Sequence, residues 1–239
     1  MKMENGSLIP EGLSRDDPRR VRSPEELTAL INRLGFLPLF KTPLSGFSAE
    51  EYTVNGDWWT GTKNDPWVWR EIIAGSHEVA YGKFFSGKSG FISKEWFPYF
   101  AAYRRNGYDF DSLYDDGFAT RRQKLIMDVL ERNHPLPSRT LKRQAGFGKN
   151  GESGFESAVT KLQMQLYMVI YSFERKVNKK GVPYGMACTQ YAPATSLFSC
   201  EHITSQYQLE GSQAMDKIFQ HMKMTYPDAP EKAIRKEIR

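Results

Sequence analysis

Cysteine is nearly absent from this 239-residue chain, which carries Cys188 and Cys200 and no others. Two thiols are too few for a disulfide scaffold or a structural zinc site. Histidine is scarce as well. His77, His134, His202 and His221 show no metal-ligand spacing, and His77–Glu78 alone does not make a zincin helix. Cys200 and His202 are close in sequence, but a nucleophilic thiol meets its base through the fold, so their proximity argues little for catalysis. Phosphate loops are missing too: "GFGKNG" holds Lys149 without the required spacing or hydroxyl, and "SGKS" at 86–89 lacks the upstream glycine. "GYDFDSLYDDG" is acidic but lacks the ordered ligands of a calcium loop, and reads as a connector. No stretch approaches the eighteen apolar residues of a membrane span. The opening "MKMENGSLIPEGLSRDDPRRVRSPEEL" has no apolar signal core. These absences lead to the expectation of a cytoplasmic protein with no metal, no cofactor and no membrane association.

What is present is aromatic and unevenly charged. Aromatic residues make up 13% of the chain, too many for a disordered protein. The net charge of +5 is concentrated: residues 138–191 hold nine Lys/Arg against three Glu, leaving the remainder of the chain slightly negative. A local positive field of this kind suits a polyanion-binding surface, although a solvated lysine-rich face would look similar.

The organisation reads as four parts. Residues 1–22 are polar and predict a mobile tail. Residues 23–110 form a Trp-rich N-terminal domain. It opens on a helix with Ser23 as cap, Pro24 in the first turn, Glu26 closing a capping box and Gly35 as the stop. Trp58, Trp59, Trp67 and Trp69 follow in a segment expected to have little regular structure. A hairpin turning at Ser86–Gly90 and a helix near Lys94–Arg105 complete this part. Residues 119–191 come next, and 192–239 form a C-terminal helical extension. That extension includes an irregular stretch "APATSLFSCEHITSQY", an amphipathic helix "SQAMDKIFQHMKMTY" and a last helix capped by Asp228.

The third part carries the argument. "TRRQKLIMDVLERN" is an amphipathic helix, and Ser138 is placed to cap a short helix reaching Ala145. "GFESAVTKLQMQL" is a third helix with Phe155, Ala158, Val159, Leu162 and Leu166 on one side and Ser157, Thr160, Lys161 and Met164 on the other. A hairpin then turns at Asn178–Gly181 with a cationic tip. Helix, short helix, longer helix and basic hairpin describe a winged helix. The fold class expected is therefore α+β and helix-rich, built on winged helix-turn-helix architecture, with the N-terminal domain a degenerate winged-helix-like second copy. A groove-facing helix needs short donors and a cation, which Ser157, Thr160 and Lys161 provide. Phosphates need flanking cations, and Arg139, Lys142, Arg143, Lys149, Arg175, Lys176, Lys179 and Lys180 fit that role. The expected partner is duplex DNA.

The stretches "DPWVWREIIA", "VAYGKFFSGKSGFISKEWFPYFAAYRRNGYDFDSLYDDG", "LKRQAGFGK" and "LQMQLYMVIYSFERKVNKKGVPYGMA" resemble small bacterial AlkZ-related proteins, over about residues 23–195. These are distant relatives of AlkZ-type winged-helix DNA glycosylases, which excise alkylated or crosslinked bases. The resemblance implies stacked winged-helix units and a DNA-related role. AlkZ-type enzymes position their hydrolytic water with a Gln-x-Gln motif in the N-terminal part of the fold. Here Gln163 and Gln165 carry the pattern in the later helix, where residues two apart diverge by about 200°. A glycosylase using a pocket of tryptophans with Asp57, Asp65, Glu71 or Glu95 remains an alternative, as does a protein-interaction adaptor.

Overall fold

The computed structural model describes residues 2–4, 7–178, 180–181 and 183–239. In chain order the elements begin with a small hairpin, β1 (Lys2–Glu4) and β2 (Ser7–Ile9). Then come α1 (Pro24–Leu34), β3 (Phe36–Pro38), two 3-10 turns (Ala49–Tyr52 and Asn55–Asp57) and α2 (Pro66–Ser76). The hairpin β4 (Val79–Phe85) and β5 (Lys88–Ser93) precedes α3 (Phe97–Arg105) and α4 (Phe110–Asp115). The second half runs α5 (Arg121–Arg132), β6 (Leu136–Pro137), α6 (Ser138–Gln144), α7 (Phe155–Met164), β7 (Met168–Val177) and β8 (Pro183–Pro193). It closes with α8 (Cys200–Thr204), α9 (Gly211–Thr225) and α10 (Glu231–Glu237).

The fold is α+β, centred on a six-stranded antiparallel sheet ordered β3-β5-β4-β7-β8-β6. That order contains a repetition. In the second half, β6 and β7 both pair with β8, and β6 lies between α5 and α6 in sequence. In the first half, β3 and β4 both pair with β5, and β3 follows α1 directly. Each half thus supplies helix, short strand, a helix and a hairpin, with the same strand order. The halves join where Tyr81 of β4 pairs with Ile170 of β7. Helix α2 packs on β7 as well as β4, and α7 packs on β4 as well as β7.

Strand residues alternate between faces. Phe91 and its partner Tyr81 lie on the face met by α2, whose Arg70 guanidinium sits 4.4 Å over Phe173. Ile92 and its partner Phe36 lie on the other. There Phe36 meets Phe100 of α3 at 4.9 Å and His221 of α9 at 5.7 Å. The C-terminal helices therefore pack inward. Ile234 and Ile238 are fully buried, and His221 Nε2 lies 2.8 Å from the Leu34 carbonyl.

Local sequence signals explain most boundaries. Ser23 caps α1 by accepting from the Glu26 amide, and Gly35 ends it at φ 85°. The Glu26 carboxylate reaches the Arg22 amide instead of Ser23, so the expected capping box is displaced by one residue. Thr120 and Gln123 form a reciprocal box at α5. The β4–β5 turn is two residues, Ser86 (φ 50°) and Gly87 (φ 76°), tighter than the expected 86–90 connection.

Several other expectations are corrected. The Trp-rich segment contains α2, because Asp65 caps it and Pro66 fits its first turn. The acidic connector contains α4, capped by Asp109. The stretch after residue 192 contains α8, capped by Ser199. Pro230, and not Asp228, precedes α10, and Ser138 is the first residue of α6, not its cap. Residues 10–22, expected as a mobile tail, run along the 3-10 turns. The Leu13 and Val21 amides donate to the carbonyls of Thr53 and Tyr52, each at 2.8 Å, and Val21 is buried. No helix among the described residues is long and apolar enough to cross a membrane.

Candidate nucleic-acid interface

Helix α7 buries Phe155, Ala158, Val159 and Leu162, as its 3.6-residue periodicity requires. On its outward side Ser157 and Lys161 are exposed. Thr160 and Met164, also expected to face outward, are half-buried. The β4–β5 turn covers them: the Gly87 amide points at Met164 Sδ from 3.2 Å, and Lys83 Nζ lies 3.4 Å from Thr160 Oγ1. Only the first turns of the helix face outward freely. Helical periodicity carries no signal of this cover, because the covering segment lies more than seventy residues upstream.

Arg139, Lys142, Arg143 and Lys149 are all exposed. Positions 139, 142 and 143 share one face of α6, following the i, i+3, i+4 rule. That face adjoins the start of α7, since Lys142 Nζ lies 5.9 Å from the Phe155 ring centroid. The hairpin cations are less gathered. Arg175 Nη2 reaches across to Glu71 of α2 at 3.3 Å, away from α7. Lys180 is exposed at the tip, its amide held by Asn178 Oδ1 at 2.9 Å. Lys179 and the Lys176 side chain lie outside the described residues.

Two arginines belong to this surface that the periodicity did not single out. Arg121 and Arg122 open α5, and both pair with Glu152 in the connection before α7; the Arg122 Nε to Glu152 Oε2 distance is 3.3 Å. With Ser157 and Lys161 they line a groove of about 310 Å³ between α5 and α7. A signal for them did exist in the sequence. Cations in a first helical turn oppose the macrodipole, so "TRRQ" places charge where helix formation alone disfavours it.

The far end of α7 is held from behind. Arg104 of α3 donates to the Met164 carbonyl (3.1 Å) and to Ile238 O (3.1 Å), while Arg105 reaches the carbonyls of Gln165 and Leu166. Cations at a helix C-terminus satisfy orphan carbonyls and complement the dipole. Burial lowers the Arg104 pKa to about 10. Gln163 and Gln165 diverge. Gln163 is fully buried and accepts from the Lys83 amide at 3.0 Å, whereas Gln165 accepts from Gln123 Nε2 of α5 at 2.7 Å.

Trp59 is exposed, but the other tryptophans and most nearby carboxylates are engaged within the protein. Trp58 Nε1 donates to Thr53 Oγ1, and Trp69 Nε1 donates to the Lys63 carbonyl. Trp67 lies against Phe40 with the Arg70 guanidinium 3.6 Å from its centroid, and Trp96 lies 4.1 Å from His221. Asp65 accepts the amides of Trp59, Gly61 and Trp67. Asp57 pairs with Arg15, and Glu71 pairs with Arg70 and Arg175. Glu95 is exposed beside Trp96. Among the described residues no group of three or more His, Cys, Asp or Glu is placed to hold a metal.

An antiparallel α+β sheet protein with a basic surface at one helix pair is the class these observations define. The model of the AlkZ-related family matches residues 21–239, nearly the whole chain, and the protein belongs to that family. The match extends past residue 195, so α8, α9 and α10 are part of the family unit. No curated protein and no solved structure matches the chain.

Proposed function

We propose that this protein binds duplex DNA, in a repair or regulatory setting, through the exposed face of α6 and the first turns of α7. The observation that carries the reading is the exposed cationic face of α6, Arg139, Lys142 and Arg143, which adjoins the start of α7 where Lys142 Nζ lies 5.9 Å from the Phe155 ring centroid. In this reading the second half is a winged helix, with α7 as the groove-seeking helix and β7–β8 as its wing. The first half is a degenerate winged-helix-like copy whose α2 is turned into the sheet. Ser157 and Lys161 meet base edges, the α6 cations and Lys149 hold phosphates, and Lys180 extends the contact along the backbone. Thr160 orders Lys83 and does not meet DNA. Family membership supports the repair setting.

Anisotropy titration of a labelled duplex at several salt concentrations tests the reading. Affinity should fall with salt at a log–log slope of about −0.9 per phosphate contact. Lys142→Glu with Arg143→Glu should weaken binding at least tenfold while leaving the melting temperature unchanged. Indifference to duplex at low salt would favour an adaptor. Abasic sites left on alkylated duplex would add a glycosylase activity to the binding.

A further inference from the structure

At the groove between α5 and α7 two arginines hold one carboxylate. Arg121 and Arg122 converge on one carboxylate, that of Glu152, and Arg122 Nη2 also lies 3.5 Å from Ser153 Oγ. Each guanidinium donates to a different oxygen of the carboxylate, and charge-assisted N–H donors of this kind are what arginine also offers a phosphate. The arginine side chains are 71% and 49% exposed and Glu152 is 25% exposed, so the pairs sit at a solvent boundary. Ion pairs there are weak and exchangeable. Lys161 and Ser157, which line the same groove, are positioned to serve any anion that enters it. The backbone around Glu152 is fixed independently of its side chain: its amide donates to the Gly146 carbonyl at 2.9 Å, and its carbonyl accepts from Gly148.

We propose that Arg121 and Arg122 are a phosphate fork for the DNA backbone, and that Glu152 occupies the phosphate position in the free protein. The inference rests on the duplex-binding reading above and adds to it a contact site on α5 and a built-in competitor. On binding, a backbone phosphate displaces the carboxylate and Glu152 turns to solvent. The pairing keeps both arginines ordered while suppressing binding to weaker anions.

The test is a set of duplex titrations on the full chain. At about 0.1 M salt, Glu152→Gln should tighten binding roughly threefold to tenfold, the size expected from two surface pairs. Arg121→Ala with Arg122→Ala should weaken binding and reduce the salt slope by about 1. Arg121→Lys with Arg122→Lys keeps the charge and removes the fork, and should weaken binding as well. Glu156→Gln, four residues on, makes the same charge change away from the fork. If Glu152→Gln tightens binding no more than Glu156→Gln does, or tightens it equally after both arginines are removed, the competitor idea is overturned. If the wild-type chain ignores duplex at low salt, both this inference and the duplex reading fall. If Lys142→Glu with Arg143→Glu abolishes binding while Glu152→Gln changes nothing, only the inference falls.

Discussion

The two halves of the sheet use the same order of elements and put different chemistry on them. In the first half, α2 carries the Arg70 guanidinium over Phe173 of the sheet, with Trp67 against the same guanidinium. Its groove with α1 is lined by Glu25, Ile72 and Glu78. In the second half the corresponding groove, between α5 and α7, carries Arg121, Arg122 and Lys161. Where the second half has α6 with its three cations, the first has 3-10 turns holding Glu50 and Glu51. Strand order is set by hydrophobic pattern and turn geometry, which both halves keep. Surface charge is free to vary on that frame, and it has separated into one neutral-to-acidic half and one basic half. A shared topology therefore carries no shared function.

The first way to break this comparison is to ask whether the halves fold together. Phe36 is fully buried and touches Phe47, Phe85, Trp96 and Phe100. Phe36→Ala should cost about 3–5 kcal/mol. It should lower one cooperative melting transition, read in parallel by tryptophan fluorescence and far-ultraviolet circular dichroism. Two separated transitions, with only one displaced, would mean that the halves are independent.

A smaller effect comes from ionisation. Burial raises the phenol pKa values of Tyr167 and Tyr191 in the second half, and of Tyr226 where it packs against Phe47 of the first. Unfolded tyrosines ionise at the ordinary 10.0. Folded pKa values above that leave full stability below pH 10, and it is lost as the pH rises beyond it. Denaturant midpoints at pH 9 and pH 11 should show the loss, and ultraviolet titration should find these phenols ionising late. Equal midpoints would contradict the burial of all three.

The smallest effect concerns the bridge between halves formed by Arg175 and Glu71. Their side chains are 43% and 15% exposed, so Arg175→Ala should cost less than about 1 kcal/mol by denaturant melt. A larger loss would mean that the wing is braced by the first half more firmly than a surface pair allows.

Much of this was legible from sequence where the signal is local. Ser23, Pro24 and Gly35 bounded α1, and the apolar stripe of α7 fell on its buried side because periodicity alone dictates it. The order α5, α6, α7 and then the β7–β8 hairpin could likewise be read in advance, but β6 could not, because two residues show no alternation and its partner Tyr191 lies more than fifty residues on. The missing parts depend on contacts between distant segments. Thr160 looked outward by its angle on the helix, and Gly87, brought in by another hairpin, covers it. Arg175 counted as a wing cation by position, and Glu71 on α2 draws it elsewhere. Arg121 and Arg122 were hidden for a different reason: an amphipathic reading attends to the apolar face, and they lie at the helix start on the other.

The crossing of α2 onto β7 and of α7 onto β4 has a practical consequence. Cutting the chain near residue 117 would strip β4 of α7 and β7 of α2, one of the two helices that pack on each, and leave the Tyr81 and Ile170 edges open to pair with other copies. Such edges invite aggregation. Fragments of this protein should therefore be insoluble or misassembled, and any dissection of its binding surface has to proceed by point substitution in the intact polypeptide.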